Sequence, residues 1–463
     1  MLSACRSEKN ATKEPEAVVS LNEKAKAPNS VPVATDSQTA PSPTKKPQEE
    51  KPARNSLVGG WKPGDPSPGG RWNKIKDKET ADGINPWQKE QFEKAEALGY
   101  LQGYQKAESE GGITRFNKKK AGDGINFYTS GHAPVAVLMD MDGKVLHKWE
   151  FPFEKAWPDN SVPRDPIFSL FWRRAYLYPN GDVLAIFDNA GMIKIDKDSK
   201  LLWTSALGQH HEIKVTENGD IYTLTRTRSI HPDINPKEPI VADFVTVLSP
   251  DGKVKKNVSL IKAMEKNPSA MRHWDKSKLN KGDIFHTNSV QILDGRAASL
   301  LPEFKAGRVL VSMYCLNAVF VVDMDEEKIV WDFASDFIGQ HDAQILPNRN
   351  LLLLDNHGWN TAPRGKSRVL EFKLPDMKTV WTYDGTPEEE FGTPSCGTVQ
   401  RLANGNTVIA ETDNGRALEV TDKGEIVWEF ISPHRAGPDN ELVASLFQIQ
   451  RLPKSYANWL KDR

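Results

Sequence analysis

The sequence predicts an all-β protein: a six-bladed β-propeller with a short N-terminal helical segment and a disordered N-terminal tether. Two observations predict this fold. From Gly124 onward a pattern of four strands recurs, and its successive turns are tens of residues apart, which is the period of propeller blades. The earliest unit lacks a first strand, and a stretch near residue 450 resembles one.

The length and composition are those of a globular repeat domain. The chain has 463 residues, of which 38% are hydrophobic and 27% charged, as is typical of one large repeat domain with a tail. The net charge of -1 does not favour binding to nucleic acid. No run of about 18 apolar residues is present that would cross a membrane. The cysteines, Cys5, Cys315 and Cys396, form neither a disulfide framework nor a zinc-binding CxxC pair, and we expect free thiols in the last two.

The first residues resemble the end of a bacterial lipoprotein signal. Residues 1–5 read Met-Leu-Ser-Ala-Cys, which matches a lipobox with Cys5 as the lipidated residue, although the basic and hydrophobic regions that should precede it are missing. We therefore expect a truncated or misassigned start, and a periplasmic protein that meets the membrane only through a lipid anchor. Arg6 after the cysteine favours the outer membrane.

Two further segments precede the repeats. Residues 6–70 are rich in Lys, Glu, Pro, Ala and Ser and nearly lack aromatic residues, so we expect a disordered polar linker. An ordinary disordered tail is the alternative to a lipidated tether. Residues 71–123 are interpreted as an N-terminal extension. Within it, apolar residues fall at helical spacing from Pro86 to Gln105, which predicts a helix on the outside of the main domain.

The propeller is predicted over residues 124–463, and two signals define its blades. First strands end in turns: Pro179-Asn180-Gly181, Glu217-Asn218-Gly219, Leu293-Asp294-Gly295, Pro347-Asn348 and Ala403-Asn404-Gly405. Fourth strands carry tryptophan: Asp140 to Trp149, Asp196 to Trp203, Asp323 to Trp331, Pro375 to Trp381 and Asp422 to Trp428. Both signals together give six blades.

One of the six blades is split between the two ends of this domain. Residues 124–151 supply three strands, and residues 446–453 supply the missing first strand, so pairing them closes the ring and removes the exposed sheet edges. The alternatives are a seven-bladed ring, which would use residues 154–172 or 255–285, and an open array. We interpret those two segments as inserted loops.

Histidines recur at one register of the first strands, which line the central channel of a propeller. His211 and His341 each lie seven residues before the turn asparagine, and Arg173 takes this place in blade two. In blade four Asn288 matches His341, and His286 lies two residues earlier on the same strand face. A single histidine is more often a hydrogen-bonded structural group, but three at one register predict a functional cluster at one end of the channel.

A metal centre is the first alternative for this cluster, since three histidines can hold zinc. No carboxylate is in register with them, and Asp342 points to the opposite face of the strand from His341. We therefore predict neither a metal nor a cofactor.

Several short segments form a distinctive set: His286-Thr287-Asn288-Ser289-Val290, Val309-Leu310-Val311-Ser312, Asn317-Ala318-Val319, Ile329-Val330-Trp331, Gln340-His341-Asp342-Ala343 and Leu354-Asp355-Asn356. These segments resemble the bacterial arylsulfotransferases, which are periplasmic six-bladed propellers. The resemblance covers residues 124–453 and is most specific from 284 to 356. It implies an enzyme that moves a sulfuryl group from an aryl sulfate to a phenol without a nucleotide donor. Its partners would be a small phenolic donor and acceptor; the oligomeric state is not predicted.

The resemblance also implies roles for individual residues. His341 matches the nucleophile, which would form a sulfo-histidine, and His286 matches a second catalytic histidine. His211, or its neighbour His210, matches a third histidine, which would bind substrate. We expect Asn288 to bind substrate as well.

One position departs from the family. Tyr314 stands where the family usually has an arginine that holds sulfuryl oxygens, and Arg173 can supply a substitute cation from another blade. The departure keeps open a non-catalytic, lipid-anchored propeller that retained the family pocket for binding or as a scaffold. The segment from Asp422 to Trp428 also resembles the repeats of quinoprotein dehydrogenases, but those need eight blades and cofactor ligands that this sequence does not show.

Overall fold

The computed structural model describes residues 70–74, 111–357, 367–437 and 440–462. In chain order the strands are β1 (Trp72–Lys74), β2 (Gly112–Phe116), β3 (Ile125–Ser130), β4 (Val135–Met139), β5 (Val145–Glu150), β6 (Arg174–Leu177), β7 (Val183–Phe187), β8 (Gly191–Ile195), β9 (Leu201–Ser205), β10 (Gln209–Val215), β11 (Ile221–His231), β12 (Asn235–Leu248), β13 (Val254–Ser259), β14 (Gly282–Asp283), β15 (Thr287–Ile292), β16 (Val309–Met313), β17 (Ala318–Asp323), β18 (Lys328–Phe333), β19 (His341–Ile345), β20 (Leu351–Asp355), β21 (Arg368–Lys373), β22 (Lys378–Tyr383), β23 (Thr398–Arg401), β24 (Thr407–Glu411), β25 (Arg416–Val420), β26 (Ile426–Ile431), β27 (Arg435–Ala436), β28 (Leu442–Ala444) and β29 (Leu446–Leu452).

Helices are few. The α-helices are α1 (Phe153–Ala156) and α2 (Leu260–Glu265), and the 3-10 turns are Phe168–Leu170, Ala270–His273, Pro302–Phe304, Tyr314–Leu316 and Lys454–Asp462. None of the helices in the part of the chain that the structure describes is long and apolar enough to cross a membrane.

Six antiparallel sheets form the blades of a six-bladed propeller, which confirms the predicted fold class. Blade one is β29-β3-β4-β5, blade two β6 to β9, blade three β10 to β13, blade four β15 to β18, blade five β19 to β22 and blade six β23 to β26. The first strand of each blade contacts the first strands of both neighbours, so the ring is closed around a central channel.

Closure of the ring by the split blade is confirmed. Strand β29 pairs antiparallel with β3, with Leu446 opposite Ser130 and Leu452 opposite Ile125. Because the C-terminal strand completes the blade that residues 124–151 begin, neither sheet edge is left unpaired at the seam.

Glutamines on the first strands join neighbouring blades. Gln448 of β29 accepts a hydrogen bond from the Ala175 amide and donates one to its carbonyl, both at 3.0 Å. Gln291 of β15 makes the same pair of bonds with Ile345, at 2.6 and 3.1 Å, and Gln400 repeats the arrangement. These side chains hydrogen-bond backbone N–H and C=O groups of the neighbouring first strand that strand pairing leaves without a partner. They thereby link adjacent sheets around the axis.

The recurring tryptophans lie in fourth strands and dock onto the next blade. The indole of Trp149 donates to the Gly181 carbonyl at 2.9 Å, and that of Trp428 donates to the Met141 carbonyl at 2.9 Å. Both rings are buried. A large apolar ring with one donor suits this place, because the turn of the adjacent blade offers a free carbonyl.

The predicted inserted loops are partly right. Residues 154–172 contain no strand and carry α1 and a 3-10 turn. The other segment, 255–285, was expected to be a loop throughout, but β13 is the fourth strand of blade three. Its sequence, Val-Lys-Lys-Asn-Val-Ser, is largely exposed and lacks the tryptophan of the other blades, so the repeat signal is absent there. The insertion therefore begins only after Ser259.

Strands from outside the predicted propeller domain join the sheets. Strand β2 pairs with β26 as a fifth strand of blade six, and β1 pairs with β28 in a small separate sheet. The lipidation at Cys5, the linker over 6–70 and the helix from Pro86 to Gln105 fall almost wholly outside the described residues and stay predictions.

Candidate active site

The three predicted histidines meet at one end of the central channel. His211 lies on β10, His341 begins β19, and His286 immediately precedes β15. The ring centroid of His211 is 5.0 Å from that of His286 and 6.4 Å from that of His341. The structure therefore brings His211 close to both His286 and His341, well within the distance of about 10 Å that is expected for a shared substrate.

The local backbone that presents these rings is irregular. The strand pairing shifts register after His210 in blade three and after His341 in blade five, and His211 has a φ of 57°. His286 was predicted to lie on the same face of an extended strand as Asn288. That explanation is wrong: His286 lies before the strand with a φ of 47°, and the register of β15 shifts at Asn288. A turn, and not strand alternation, brings His286 to the site.

His341 is held in one tautomer by Asn356. The Nδ2 atom of Asn356 donates to the carbonyls of Thr393 and Cys396 at 2.6 and 2.7 Å, which fixes the orientation of the amide. Its Oδ1 atom therefore faces His341 Nδ1, at 2.7 Å. Since Gly339 O also lies 3.1 Å from that nitrogen, both neighbours are acceptors and Nδ1 must carry the proton. The Nε2 atom of His341 is left with its lone pair.

His341 is also kept neutral. It is 4% exposed. Burial, followed by the positive charges of Arg173 and His286, lowers the pKa of His341 from 6.5 to about 3. A neutral imidazole with a bare Nε2 is the nucleophilic form of the side chain.

His211 forms a pair with His210, which lies behind it. Their Nδ1 atoms are 2.9 Å apart, so one donates and the other accepts. The Nε2 atom of His210 lies 3.6 Å from the carboxylate of Asp243, which favours a proton on that nitrogen. We therefore assign the shared proton to His211 Nδ1, and Nε2 of His211 is left as an acceptor. Burial, together with the charges of Arg173 and His286, holds the pKa of His211 well below its usual value.

His286 is the most accessible of the three histidines, since its side chain is 33% exposed. Its Nδ1 atom lies 2.6 Å from Asp283 Oδ2, and its backbone amide donates to Asp283 Oδ1 at 2.9 Å. Burial favours the neutral form of Asp283, but the charges of His286 and Arg226 outweigh it and hold the pKa of this carboxyl below its usual range. Asp283 is thus an anionic acceptor for the ring.

Arg173 brings a cation to the same end of the channel. Its side chain is 8% exposed, and the nearest carboxylate atom, Asp188 Oδ2, is 3.8 Å from Nε, which is too long for a hydrogen bond. Its guanidinium carbon lies 4.9 Å from the ring centroid of Phe447. Within the described residues the guanidinium makes no hydrogen bond, while its charge lowers the pKa of both His211 and His341. Asp188 is thus a distant ionic partner, and a buried guanidinium whose donors make no hydrogen bond favours binding of an anion.

The remaining predicted site residues also lie here. The ring centroid of Tyr314 is 5.3 Å from that of His286 and 5.8 Å from that of His341, so the tyrosine lies beside both histidines. Asn288 donates to the Gln340 carbonyl at 2.7 Å, and its buried Oδ1 has no hydrogen-bond partner. Asp342 accepts a hydrogen bond from Val399 N at 2.7 Å instead of contacting His341.

Sequence reasoning assigned no role in the site to Asn356, Asp283 or Asp188, although Asn356 belongs to one of the segments that carry the family resemblance. One signal could have found two of them: the dipeptide Asp-Asn lies at or just after the end of the second strand in blades two, five and six, at residues 188–189, 355–356 and 413–414. Second strands end at the same side of the ring as first strands begin, which places Asp188 Oδ1 3.9 Å from His211 Nδ1 and Asn356 Oδ1 2.7 Å from His341 Nδ1. Asp283 has no such repeat signal.

Two further features concern the cysteines and the possibility of a metal site. Cys315 and Cys396 are both unbridged, as predicted. Among residues 70–74, 111–357, 367–437 and 440–462, no group of three His, Cys, Asp or Glu side chains has a geometry that would hold a metal ion.

The comparison with known families decides the identity of this chain. The family model described as arylsulfotransferase (ASST) matches residues 174–433, which is more than half of the sequence. The chain belongs to the arylsulfotransferase family. This membership supports an arylsulfotransferase-like function in general terms, and the matched region contains all three histidines of the site.

Solved structures resemble the chain weakly. A protein of unknown function from Bacteroides caccae is 10% identical, with a TM-score of 0.46, over 71% of this chain and 98% of that one. Virginiamycin B lyase from Staphylococcus aureus is 13% identical, with a TM-score of 0.39, over 73% and 94%. The WD40 propeller domain of Doa1 is 10% identical, with a TM-score of 0.39, over 75% and 93%. No curated protein matches the chain.

Proposed function

We propose that this protein transfers a sulfuryl group from an aryl sulfate to a phenolic acceptor through a sulfo-histidine on His341. The observation that carries the proposal is the hydrogen bond of 2.7 Å from His341 Nδ1 to an Asn356 amide that is itself fixed by two carbonyls. It leaves His341 as a neutral imidazole with a bare Nε2, which is the atom that must attack sulfur.

The reaction proceeds in two displacements. In the first, His341 Nε2 forms a bond to sulfur while the bond from sulfur to the aryl oxygen breaks, and His286 Nε2 gives a proton to the departing phenolate. In the second, the acceptor phenol gives its proton to His286 Nε2. The phenol oxygen then bonds to sulfur, and the sulfur–nitrogen bond breaks with its electron pair returning to His341. A group that serves as acid and then base contributes typically about 10²–10⁴ in rate.

Arg173 supplies the charge that the sulfuryl oxygens need. Its buried guanidinium lacks a hydrogen-bond partner and acts electrostatically on His341. It can therefore take the place of the family arginine that Tyr314 replaces. His211 is expected to bind substrate, and its assigned tautomer presents an acceptor at Nε2, which suits the hydroxyl group of the incoming phenol.

A second candidate is a propeller that binds aryl sulfates without turning them over. Tyr314 favours it, because its ring lies beside His286 and His341, where a fixed cation is expected. The phenol hydroxyl carries no charge to stabilise the sulfuryl oxygens in the transition state.

The test is release of phenol from a chromogenic aryl sulfate in the presence of a phenolic acceptor. The wild type should turn over, and His341→Asn should abolish transfer because it removes the nucleophile. The matched control is His273→Asn, since His273 is held by Asp332 at 2.8 Å in the outer part of blade four, and this variant should keep the wild-type rate. Saturable binding of the aryl sulfate by the wild type without phenol release would favour the second candidate.

Arg173→Met tests the role of the cation. We expect kcat to fall by about 10²–10³, the loss seen when one donor to a developing oxyanion is removed. Arg308→Met is the control, because Arg308 is a partly buried arginine that is fully paired with Asp323 at 2.9 Å outside the channel. If Arg173→Met turns over as fast as the control, the cation comes from elsewhere.

A further inference from the structure

We propose that Asp283 is the positioning residue of His286, forming with it an acid–base pair that decides which phenolates can leave. The inference rests on the proposed sulfuryl transfer and deepens it, because it concerns the substrate class that the same site accepts. The Asp283 carboxylate contacts both the backbone amide and the ring of His286.

The geometry assigns the proton positions. Asp283 Oδ2 lies 2.6 Å from His286 Nδ1, and Asp283 Oδ1 accepts the backbone amide of His286 at 2.9 Å. One side chain thus fixes both the left-handed backbone of His286, whose φ is 47°, and the rotation of its ring. Because a carboxylate accepts and does not donate, Nδ1 carries a proton, and Nε2 is the atom that exchanges protons with substrate.

A buried network keeps Asp283 in place. Arg226 Nη1 lies 3.2 Å from Asp283 Oδ2, and Arg226 Nε lies 3.2 Å from Asp243 Oδ1. Asp243 in turn accepts the backbone amide of Thr287, the first residue of β15, at 2.7 Å. The guanidinium therefore orients Asp283 relative to the strand that follows His286. Since Arg226 already contributes charge to this carboxylate, Asp283 can stabilise a protonated His286 without taking up its proton.

This pair matters most when the leaving group is a strong base. The first displacement leaves an electron pair on the aryl oxygen, and His286 Nε2 supplies the proton that this oxygen takes. Phenolate needs that proton far more than 4-nitrophenolate, which is a much weaker base and leaves readily as the anion. We therefore infer that Asp283 adapts the site to sulfate esters of unactivated phenols.

The test compares two donors in the Asp283→Asn variant. The amide keeps the size of the side chain and its Oδ1 acceptor but loses the charge. We expect turnover of phenyl sulfate to fall by about 10² or more, the lower end of the effect of acid–base catalysis, and turnover of 4-nitrophenyl sulfate to fall by less than about tenfold. A purely structural role of Asp283 would lower both rates by the same factor, which would overturn the proposal.

The matched control is Asp332→Asn. Asp332 lies on β18 in the outer part of blade four and pairs with His273 at 2.8 Å, so it has the same chemistry away from the channel. It should leave the ratio of the two donor rates unchanged. If wild type releases phenol from neither donor, the proposed function itself fails. If wild type is active but the ratio in Asp283→Asn is unchanged, only the present inference fails.

A measurement on the wild type covers the case in which Asp283→Asn does not fold. Nitrogen-15 spectra of labelled imidazoles, with His286 assigned by comparison with His286→Asn, report which ring nitrogen carries the proton. The proposal requires a proton on Nδ1 of His286 throughout the neutral range. A neutral ring with its only proton on Nε2 would contradict it.

Discussion

Asn356→Ala is the perturbation that tests the tautomer of His341 most sharply. The substitution removes the Oδ1 acceptor 2.7 Å from Nδ1 and leaves only Gly339 O, at 3.1 Å, to favour the Nδ1 proton. Removing the acceptor of a buried donor costs about 1–3 kcal/mol. Since about 1.4 kcal/mol corresponds to a factor of ten, the reactive tautomer should become about 5–150 times rarer relative to the other.

We therefore expect kcat/KM for aryl sulfate to fall by about 10–100-fold in Asn356→Ala, while substrate binding changes little. The variant should also lose stability, because the carbonyls of Thr393 and Cys396 lose their donor, at about 1–3 kcal/mol for each buried group. Steady-state phenol release gives the first quantity and urea titration the second, and both are measured where the variant is fully folded.

Asn406→Ala is the control for the loss of stability. Asn406 is buried, and its Nδ2 donates to Lys120 O at 2.8 Å and Glu419 Oε1 at 2.7 Å, so its amide has a similar number of buried bonds outside the channel. This variant should lose comparable stability and keep its kcat/KM. If folded Asn356→Ala retains kcat/KM within about twofold of Asn406→Ala, the argument that Asn356 selects the reactive tautomer is wrong.

Four further outcomes are expected. Tyr314→Arg should raise kcat, because a positioned cation stabilises the sulfuryl oxygens as charge develops, and an unchanged rate would show that Arg173 already suffices. His341 binds its proton in the unfolded chain near pH 6.5 but in the folded chain only near pH 3, so stability is complete above the first value and is lost as pH falls towards the second. His341→Gln should therefore reduce, by about 2 kcal/mol, the difference in the free energy of unfolding between about pH 7 and about pH 5, measured with urea. Gln448→Leu should destabilise the fold by about 2–3 kcal/mol, because both backbone groups of Ala175 lose their partner, and an unchanged urea midpoint would refute the role of the glutamine. We also propose that Cys5 is lipidated, so Cys5→Ser protein made from an upstream start should leave the membrane fraction.

The fold could be predicted because its signals are local and repeated. The turn asparagines and the fourth-strand tryptophans recur in most blades, and a propeller is the arrangement that buries such units around one axis. The fourth strand of blade three was not predicted, because β13 has lysines where other blades have tryptophan. Its strand is defined by pairing with β12, which no local signal reveals.

The site could be predicted only in part. His211 and His341 could be placed from strand register, but His286 reaches the site through a left-handed turn, and its convergence was predicted for the wrong reason. Asn356 and Asp283 were missed because their roles depend on hydrogen bonds to groups that the sequence does not place nearby. Asn356 bonds to Thr393, which is 37 residues away in the sequence, and the packing of blade five against the start of blade six brings the two together.

The most direct test of the central claim is isolation of the covalent intermediate. A stoichiometric amount of aryl sulfate is mixed with wild-type protein without acceptor, the reaction is quenched after the first release of phenol, and alkaline digestion products are mapped by mass spectrometry. The proposed mechanism predicts one sulfuryl group on the peptide that contains His341, released when a phenol acceptor is added before the quench, and no adduct in His341→Asn. Turnover with no adduct on that peptide, or with an adduct on another residue, would contradict it.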